Sequence, residues 1–348
     1  MRARRKFPTV IATAVAFLLA VTGCALEEGP GSGGGTKDGR TVVRVGYLHT
    51  VAVDAHLWLG LAKGLFAKHG LEVKLVKFDT GIAESQALTG GSIDVAVMGA
   101  VLSNFPARGQ GKVFLLNGVE YDTAQLWVRK DSGIRSVADL AGKKVATTQG
   151  TTGHVFLHTA LKSEGVDPAK VTVVNSPMPA AVNALISGAV PAAAIWVPFD
   201  QQIRKSLPDA RLITSAKRYY PKATVADGWV ANNAYHAKNR ATLTKLAAAW
   251  LDVNRLLVGD TAASLNVVHQ QGYKNDATLQ DVTRNYGFGK SFGNEQWAAY
   301  YRDGTAAGWI GQVTRTFVEL GGLPEYRDPK TFFDTQIFLD AYNASKGS

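Results

Sequence analysis

Residues 87–96, ALTGGSIDVA, return as residues 184–193, ALISGAVPAA, at a constant offset of 97 (184 − 87). A larger order of elements returns with them. The first unit reads as a strand over 42–47, a turn over 48–53, a helix beginning near Asp54 and a second strand over 71–78. Leu57, Trp58, Leu61, Leu65 and Phe66 recur at helical spacing, and Gly70 stands at the stop. The second unit reads as a strand over 144–148, a turn over 149–153, a helix over 155–162 closed by Gly165, and a strand over 171–174. A chain that carries this order twice is constrained to α/β layering with mainly parallel sheets. About 300 residues follow Thr41, more than one core usually holds, so two lobes are expected.

Open α/β sheets bind ligands beyond the carboxyl ends of their strands. Two such lobes facing each other would set the turns after Tyr47, Met98, Thr148 and Ile195 around one cleft, with Gly99 and Trp196 at equivalent strand ends. The turn at 149–153 is the most informative of the four. It delivers a helix N-terminus whose first amides have no partner within the helix, and the Thr151 and Thr152 hydroxyls stand beside them. That is a seat for an oxyanion, although a threonine that merely caps the helix accounts for the same residues. A phosphate loop fits worse, because no Lys-Ser or Lys-Thr follows the glycines.

The ends of the chain speak to location. Arg2, Arg4, Arg5 and Lys6 precede an apolar run over 10–21 that is too short to cross a bilayer, so residues 1–23 read as a signal peptide. Val21-Thr22-Gly23-Cys24 resembles a bacterial lipobox, in which the cysteine becomes the first residue and carries a lipid. Cys24 is the only cysteine, which rules out disulfides and cysteine-rich metal sites. Residues 24–40 are rich in glycine and charge and read as a flexible tether. Removing the four basic residues of the leader lowers the net charge from +10 to about +6 (10 − 4). Basic residues are interspersed with acidic ones, which disfavours nucleic acid as a partner.

Leu243, Leu246, Trp250, Val253 and Leu257 form a packing stripe in a mostly helical last third. His154 and His158 have a spacing that can hold zinc, but no Glu-rich partner lies nearby, so no metal is expected. No nucleophile motif such as Gly-x-Ser-x-Gly is present, and the chain is read as a binder without a cofactor rather than an enzyme.

Several stretches together resemble the solute-binding proteins of ABC importers, in the group for taurine, alkanesulfonates and nitrate. They are Gly-Leu-Phe-Ala-Lys at 64–68, Lys-Phe-Asp-Thr-Gly at 77–81, Ala-Leu-Thr-Gly-Gly-Ser-Ile-Asp at 87–94, the run from Ser132 to Val145, Gly-Thr-Thr-Gly-His at 150–154 and Ile-Trp-Val-Pro at 195–198. The resemblance implies a two-lobed periplasmic-binding-protein fold of type II with the ligand between the lobes. Taurine binders are most similar, sharing Phe-Asp-Thr-Gly, the Thr-Thr and His of the helix start, Trp-Val-Pro, and an Asp two residues before a Trp, here Asp227 and Trp229. On that resemblance Asp227 meets the taurine ammonium while Thr151, Thr152 and neighbouring amides hold the sulfonate. His49, Thr50, Gly99, Ala100, Gln125, His154 and Trp196 complete the expected contacts. Asp227 can equally be a turn-capping residue before Gly228, and Trp196 a core tryptophan.

Two departures stand out: Gly153 reads as an insertion between Thr-Thr and His, and residues 99–102 lack the small hydroxyl residues and proline of the family. Pro191 likewise replaces an acidic residue at a strand start. Lobe 1 is expected over 41–128 and 230–348 and lobe 2 over 129–229, with hinges near 127–129 and 229–232. The expected partners are an ABC permease and, through Cys24, the outer face of the cytoplasmic membrane, with the protein a monomer. Alternatives are an alkanesulfonate, nitrate or a thiamine-type pyrimidine precursor as ligand. Pyrimidine synthases of thiamine biosynthesis resemble these receptors, but an export signal argues against an intracellular enzyme.

Overall fold

The computed structural model describes residues 36–37 and 39–347. The leader, Cys24 and most of the expected tether lie outside the described residues. Among the described residues, eleven strands form two sheets. The chain enters the first with β1 (Thr36–Lys37), β2 (Arg40–Tyr47), β3 (Leu71–Lys77), β4 (Val95–Met98) and β5 (Gly111–Val119). It builds the second from β6 (Ala124–Val128), β7 (Lys144–Thr147), β8 (Thr172–Asn175), β9 (Ala192–Trp196) and β10 (Arg211–Ser215), then returns to the first with β11 (Ala226–Asn232). Strand β1 pairs antiparallel with the start of β2, so Thr36 and Lys37 of the expected tether already belong to the sheet.

The internal repeat is realised strand for strand. In the first sheet β2 lies between β3 and β4, parallel to both; in the second β7 lies between β8 and β9, again parallel to both. The register repeats too: Val95 and Ala96 pair with β2 where Ala192 and Ala193, 97 residues later, pair with β7. The sheets are mixed rather than parallel throughout, because β11 inserts antiparallel between β4 and β5, and β6 lies antiparallel between β9 and β10.

That insertion moves the lobe boundaries. Residues 127–129 and 229–232 were expected to be hinges, yet Trp127 and Val128 pair within β6 and Trp229–Asn232 within β11. A residue in the middle of a hydrogen-bonded ladder cannot absorb a large backbone rotation. The chain instead crosses at residues 120–123 and again between Ser215 and Ala226, where the Glu120 amide donates to the Val225 carbonyl at 2.8 Å and ties the crossings together.

Helices cover both sheets: the first packs into one continuous core, and the second has a separate core on each face. The helical last third packs on the first lobe: Leu243, Leu246, Trp250, Val253 and Leu257 of the helix Arg240–Gly259 are all buried. Among the described residues no helix is long and apolar enough to cross a membrane.

Candidate functional site

A cavity of about 480 Å³, its mouth included, lies between the sheets at the carboxyl ends of β2, β4, β7 and β9. Leu48 and Thr50 line it from the first turn, Gly99 and Ala100 from the second, Thr151 and Thr152 from the third, Trp196 and Val197 from the fourth. All four turns singled out from the repeat therefore meet. The helix Thr152–Ser163 starts at the cavity wall with no acidic residue in its first turn, which leaves the positive end of its dipole uncompensated by its own side chains. Thr151 is its N-cap, but its hydroxyl does not cap the helix; it donates back to the Thr148 carbonyl at 2.7 Å. The cap reading thus fails in detail, and the first amides remain directed beyond the strand end. Gly153 packs the helix onto the sheet: a Cβ there would stand 2.7 Å from Thr147 Oγ1 and 3.0 Å from the Ala194 carbonyl oxygen.

Beside that terminus sits a carboxylate that the sequence reading missed. Glu120, the first residue of the crossing, is buried and lines the cavity. Thr152 Oγ1 donates to its Oε1 and Thr123 Oγ1 to its Oε2, each at 3.1 Å. The Ala100 amide in turn donates to Thr152 Oγ1 at 3.2 Å, so a chain of hydrogen bonds runs from the first lobe through the second to the crossing. Burial pushes the Glu120 pKa up to about 7, against the opposing effect of the two threonine hydroxyls. Close approach demands Gly99: a Cβ there would collide with Glu120 Oε1 and stand 2.9 Å from Thr152 Oγ1. An acidic residue directly after the apolar run of β5, at a strand's carboxyl end, was the available signal for Glu120.

Comparison with known proteins gives the family. A family model described as NMT1/THI5 like matches residues 54–253, more than half of the chain. The chain belongs to the NMT1/THI5-like family. A binding protein of Brucella abortus is 28% identical over 296 residues, covering 85% of this chain and 91% of the relative. The taurine-binding periplasmic protein of Escherichia coli is 29% identical over 198 residues, 56% of this chain and 60% of the relative. Among solved structures, the periplasmic aliphatic sulphonate binding protein of Escherichia coli superposes with a TM-score of 0.65 at 20% identity, over 84% of this chain and 91% of that one, and shares its fold.

Within this NMT1/THI5-like chain, Thr50, Gly99, Ala100, Thr151, Thr152 and Trp196 line the cavity; His49, Gln125, His154 and Asp227 do not. Asp227, the second residue of β11, lies opposite Gly118, fully buried, with Oδ2 lacking a hydrogen-bond partner. It is neither a turn cap nor a cavity residue. Burial first, and the nearby Glu120 charge second, raise its pKa well above the ordinary carboxylate range. His49 turns away to stack on Tyr273, with ring centroids 4.3 Å apart, and its Nε2 lies 2.9 Å from Asp276 Oδ2. Its left-handed backbone, φ 52°, shapes the turn that presents Leu48 and Thr50. Gln125 Oε1 accepts from Trp127 Nε1 at 2.8 Å inside the second lobe. His154 Nδ1 accepts from the Gly150 amide at 3.2 Å, and burial, then the charge of His158, lowers its pKa to about 4. His158 pairs instead with Glu319 at 2.7 Å, so the two histidines do not converge on a metal.

Proposed function

We propose that this chain is the lipid-anchored extracytoplasmic binding protein of an ABC importer, and that it captures taurine or a related aminosulfonate and hands it to the permease as a monomer. The observation that carries the reading is the bipolar cavity: a helix N-terminus at Thr151 and Thr152 with no acid in its own first turn, and the buried Glu120 carboxyl beside it. A sulfonate stays ionised at biological pH and accepts hydrogen bonds through three oxygens, which suits oriented amides and hydroxyls. An ammonium two carbons away requires an acceptor, and here Glu120 takes the role that the resemblance gave to Asp227. The names of the taurine-binding and sulphonate-binding relatives point to the same ligand class.

A lone alkanesulfonate is the second reading, favoured by one fact. With a pKa of about 7, Glu120 is partly protonated near neutrality and can donate to an anion instead of repelling it. Calorimetric titration of Glu120→Gln separates the two. Removing one partner of a buried charged pair typically costs roughly 2–5 kcal/mol, so taurine should weaken by about thirty- to several-thousand-fold, while ethanesulfonate holds or tightens. Equal weakening of both ligands would remove Glu120 as the ammonium partner. For the anchor, Cys24→Ala in a lipidating host should move the protein from the membrane to the soluble extracytoplasmic fraction.

A further inference from the structure

The left-handed turn at the end of β2 is held from outside the cavity. Among the described residues, His49 is the one non-glycine residue with a positive φ, at 52°. A side chain in that region strains its own backbone, and the conformation persists only where the surroundings over-determine it. The surroundings of His49 do so from several sides. Its ring stacks on Tyr273, with centroids 4.3 Å apart and planes 2° from parallel, while Tyr47 and Trp58 stand nearly perpendicular to it at 5.9 and 6.0 Å. Nε2 donates to Asp276 Oδ2 at 2.9 Å, since a carboxylate facing that nitrogen requires the proton on it. Tyr273 is fixed in turn. Its Oη reaches Asp54 Oδ1 and Oδ2 at 2.7 and 2.8 Å, and it ends the π-helical turn His269–Tyr273, whose Gly272 lies so near Trp58 that a Cβ would stand 2.5 Å from Cδ2.

The chain neighbours of His49 face the other way. Leu48 and Thr50 line the cavity, whereas His49, Tyr273 and Asp276 do not. Thr50 is buried, and its hydroxyl does not cap the helix Val51–Ala62 that it opens. Rotation about φ of residue 49 swings these two neighbours relative to each other. The directions in which Leu48 and Thr50 face therefore depend on a backbone angle that the ring holds.

We propose that His49 is a positioning residue for the ligand cavity, gripped by the segment that carries Tyr273 and Asp276, and that this grip sets affinity from outside the site. The inference rests on the sulfonate-binding reading of the cavity and is indifferent to which sulfonate fills it. A turn that occupies its binding-competent conformation only part of the time weakens apparent affinity by the fraction populated. Loosening the grip thus costs affinity without removing a ligand contact, and it costs the same factor for every ligand that uses the first-lobe wall.

The test is calorimetric titration of taurine and ethanesulfonate on the mature chain, His49→Ala, His49→Gly, Asp276→Ala and the double variant His49→Ala/Asp276→Ala, with melting temperatures recorded alongside. His49→Ala keeps the backbone strain and loses the grip, so both ligands should weaken by about tenfold or more. His49→Gly loses the grip but adopts a positive φ freely, and should recover about threefold or more of that loss. The Asp276 side chain is 60% exposed, so its removal spares the core. Asp276→Ala should weaken both ligands by about threefold and add nothing in the His49→Ala background, because its effect passes through the ring. Unchanged affinities in His49→Ala and Asp276→Ala, with only the melting temperature lowered, would make the ring a purely structural element and overturn the inference. So would His49→Gly binding no better than His49→Ala, or effects at His49 and Asp276 that simply add. If the unmodified chain binds neither sulfonate, the ligand reading falls and this inference falls with it; if it binds either, the variants alone decide.

Discussion

The two repeated units share their strand order and differ at the start of the helix after the first strand. In the first unit the helix Val51–Ala62 carries Asp54 in its opening turn, fully buried, accepting from Tyr273 Oη at 2.7 Å and from Trp58 Nε1 at 3.0 Å. In the second unit the helix Thr152–Ser163 has threonine and glycine there and no acid. A carboxylate in the opening turn stabilises a helix by complementing its dipole. Thus the first helix has an acid of its own in the opening turn, bound by Tyr273 and Trp58, and its lobe offers Thr50 and apolar wall to the cavity, while the second helix has no such acid. Two copies of one supersecondary unit can share a fold and divide the labour of binding by where a single acidic side chain lies.

The largest test gives the second helix an acid in its opening turn. Thr152→Asp places a carboxylate at the free terminus, beside Glu120, and like charges juxtaposed in a closed site cost several kcal/mol. Sulfonate binding should fall by about a hundredfold or more at ~1.4 kcal/mol per decade, by calorimetry, with the melting temperature showing that the fold persists. Unchanged affinity would mean the anion does not use this terminus.

The next test uses pH. Glu120 has its folded pKa raised to about 7, so an ammonium ligand that requires the carboxylate should bind more tightly as pH rises from 5.5 to 8.5, levelling off above the pKa. Ethanesulfonate should show the opposite slope, since protonated Glu120 does not repel it. The ligand-free fold provides a separate sign check: a carboxyl whose folded pKa lies above its unfolded value of 4.5 destabilises the protein as pH climbs from about 4.5 to 7. Glu120→Gln should therefore be more stable than the unmodified chain at pH 8, by on the order of 1–3 kcal/mol, measured by urea unfolding without ligand. A stability difference independent of pH would contradict the buried ionisation.

Smaller effects are expected from how closely each helix sits on its sheet. Gly153→Ala has no room, with Thr147 Oγ1 and the Ala194 carbonyl at 2.7 and 3.0 Å from the new Cβ. It should destabilise by about 1–3 kcal/mol, the usual cost of overpacking, and weaken ligand a few-fold as the terminus shifts. The first helix already has alanine, Ala52, at the corresponding second position. Asp54→Asn, which removes the internal charge of the first helix, should cost stability through Tyr273 and Trp58 by roughly 1–3 kcal/mol while changing taurine affinity less than threefold. A large loss of affinity in Asp54→Asn would erase the distinction between the two helix starts.

Much of this arrangement was legible in the residues. Strand and helix periods, glycine stops and the offset between 87–96 and 184–193 are local patterns, and they located the echoed strands and the four turns that meet at the cavity. The threonines at 151 and 152 and the tryptophan at 196 follow from those turns. Local pattern did not tell where the chain changes lobe, because Trp127 and Trp229 lie in strands whose sheet membership is decided by distant partners, β9 and β10 for one and β4 and β5 for the other. The same non-local pairing turned Asp227 inward against Gly118 and brought Glu120 into the site in its place. His49 and Gln125 left the site for a comparable reason, captured by Tyr273 and Trp127 respectively.

The sequence by itself determined the repeated α/β unit, the cleft at the strand ends and the helix terminus suited to an anion, since each depends on periodicity and on backbone groups that any such strand–turn–helix exposes. Only the tertiary structure decided which carboxylate lines the cavity. Glu120 and Asp227 are both acidic residues beside apolar strands, and their roles diverge because the antiparallel insertion of β11 buries one against a glycine while the crossing after β5 holds the other in reach of Thr152.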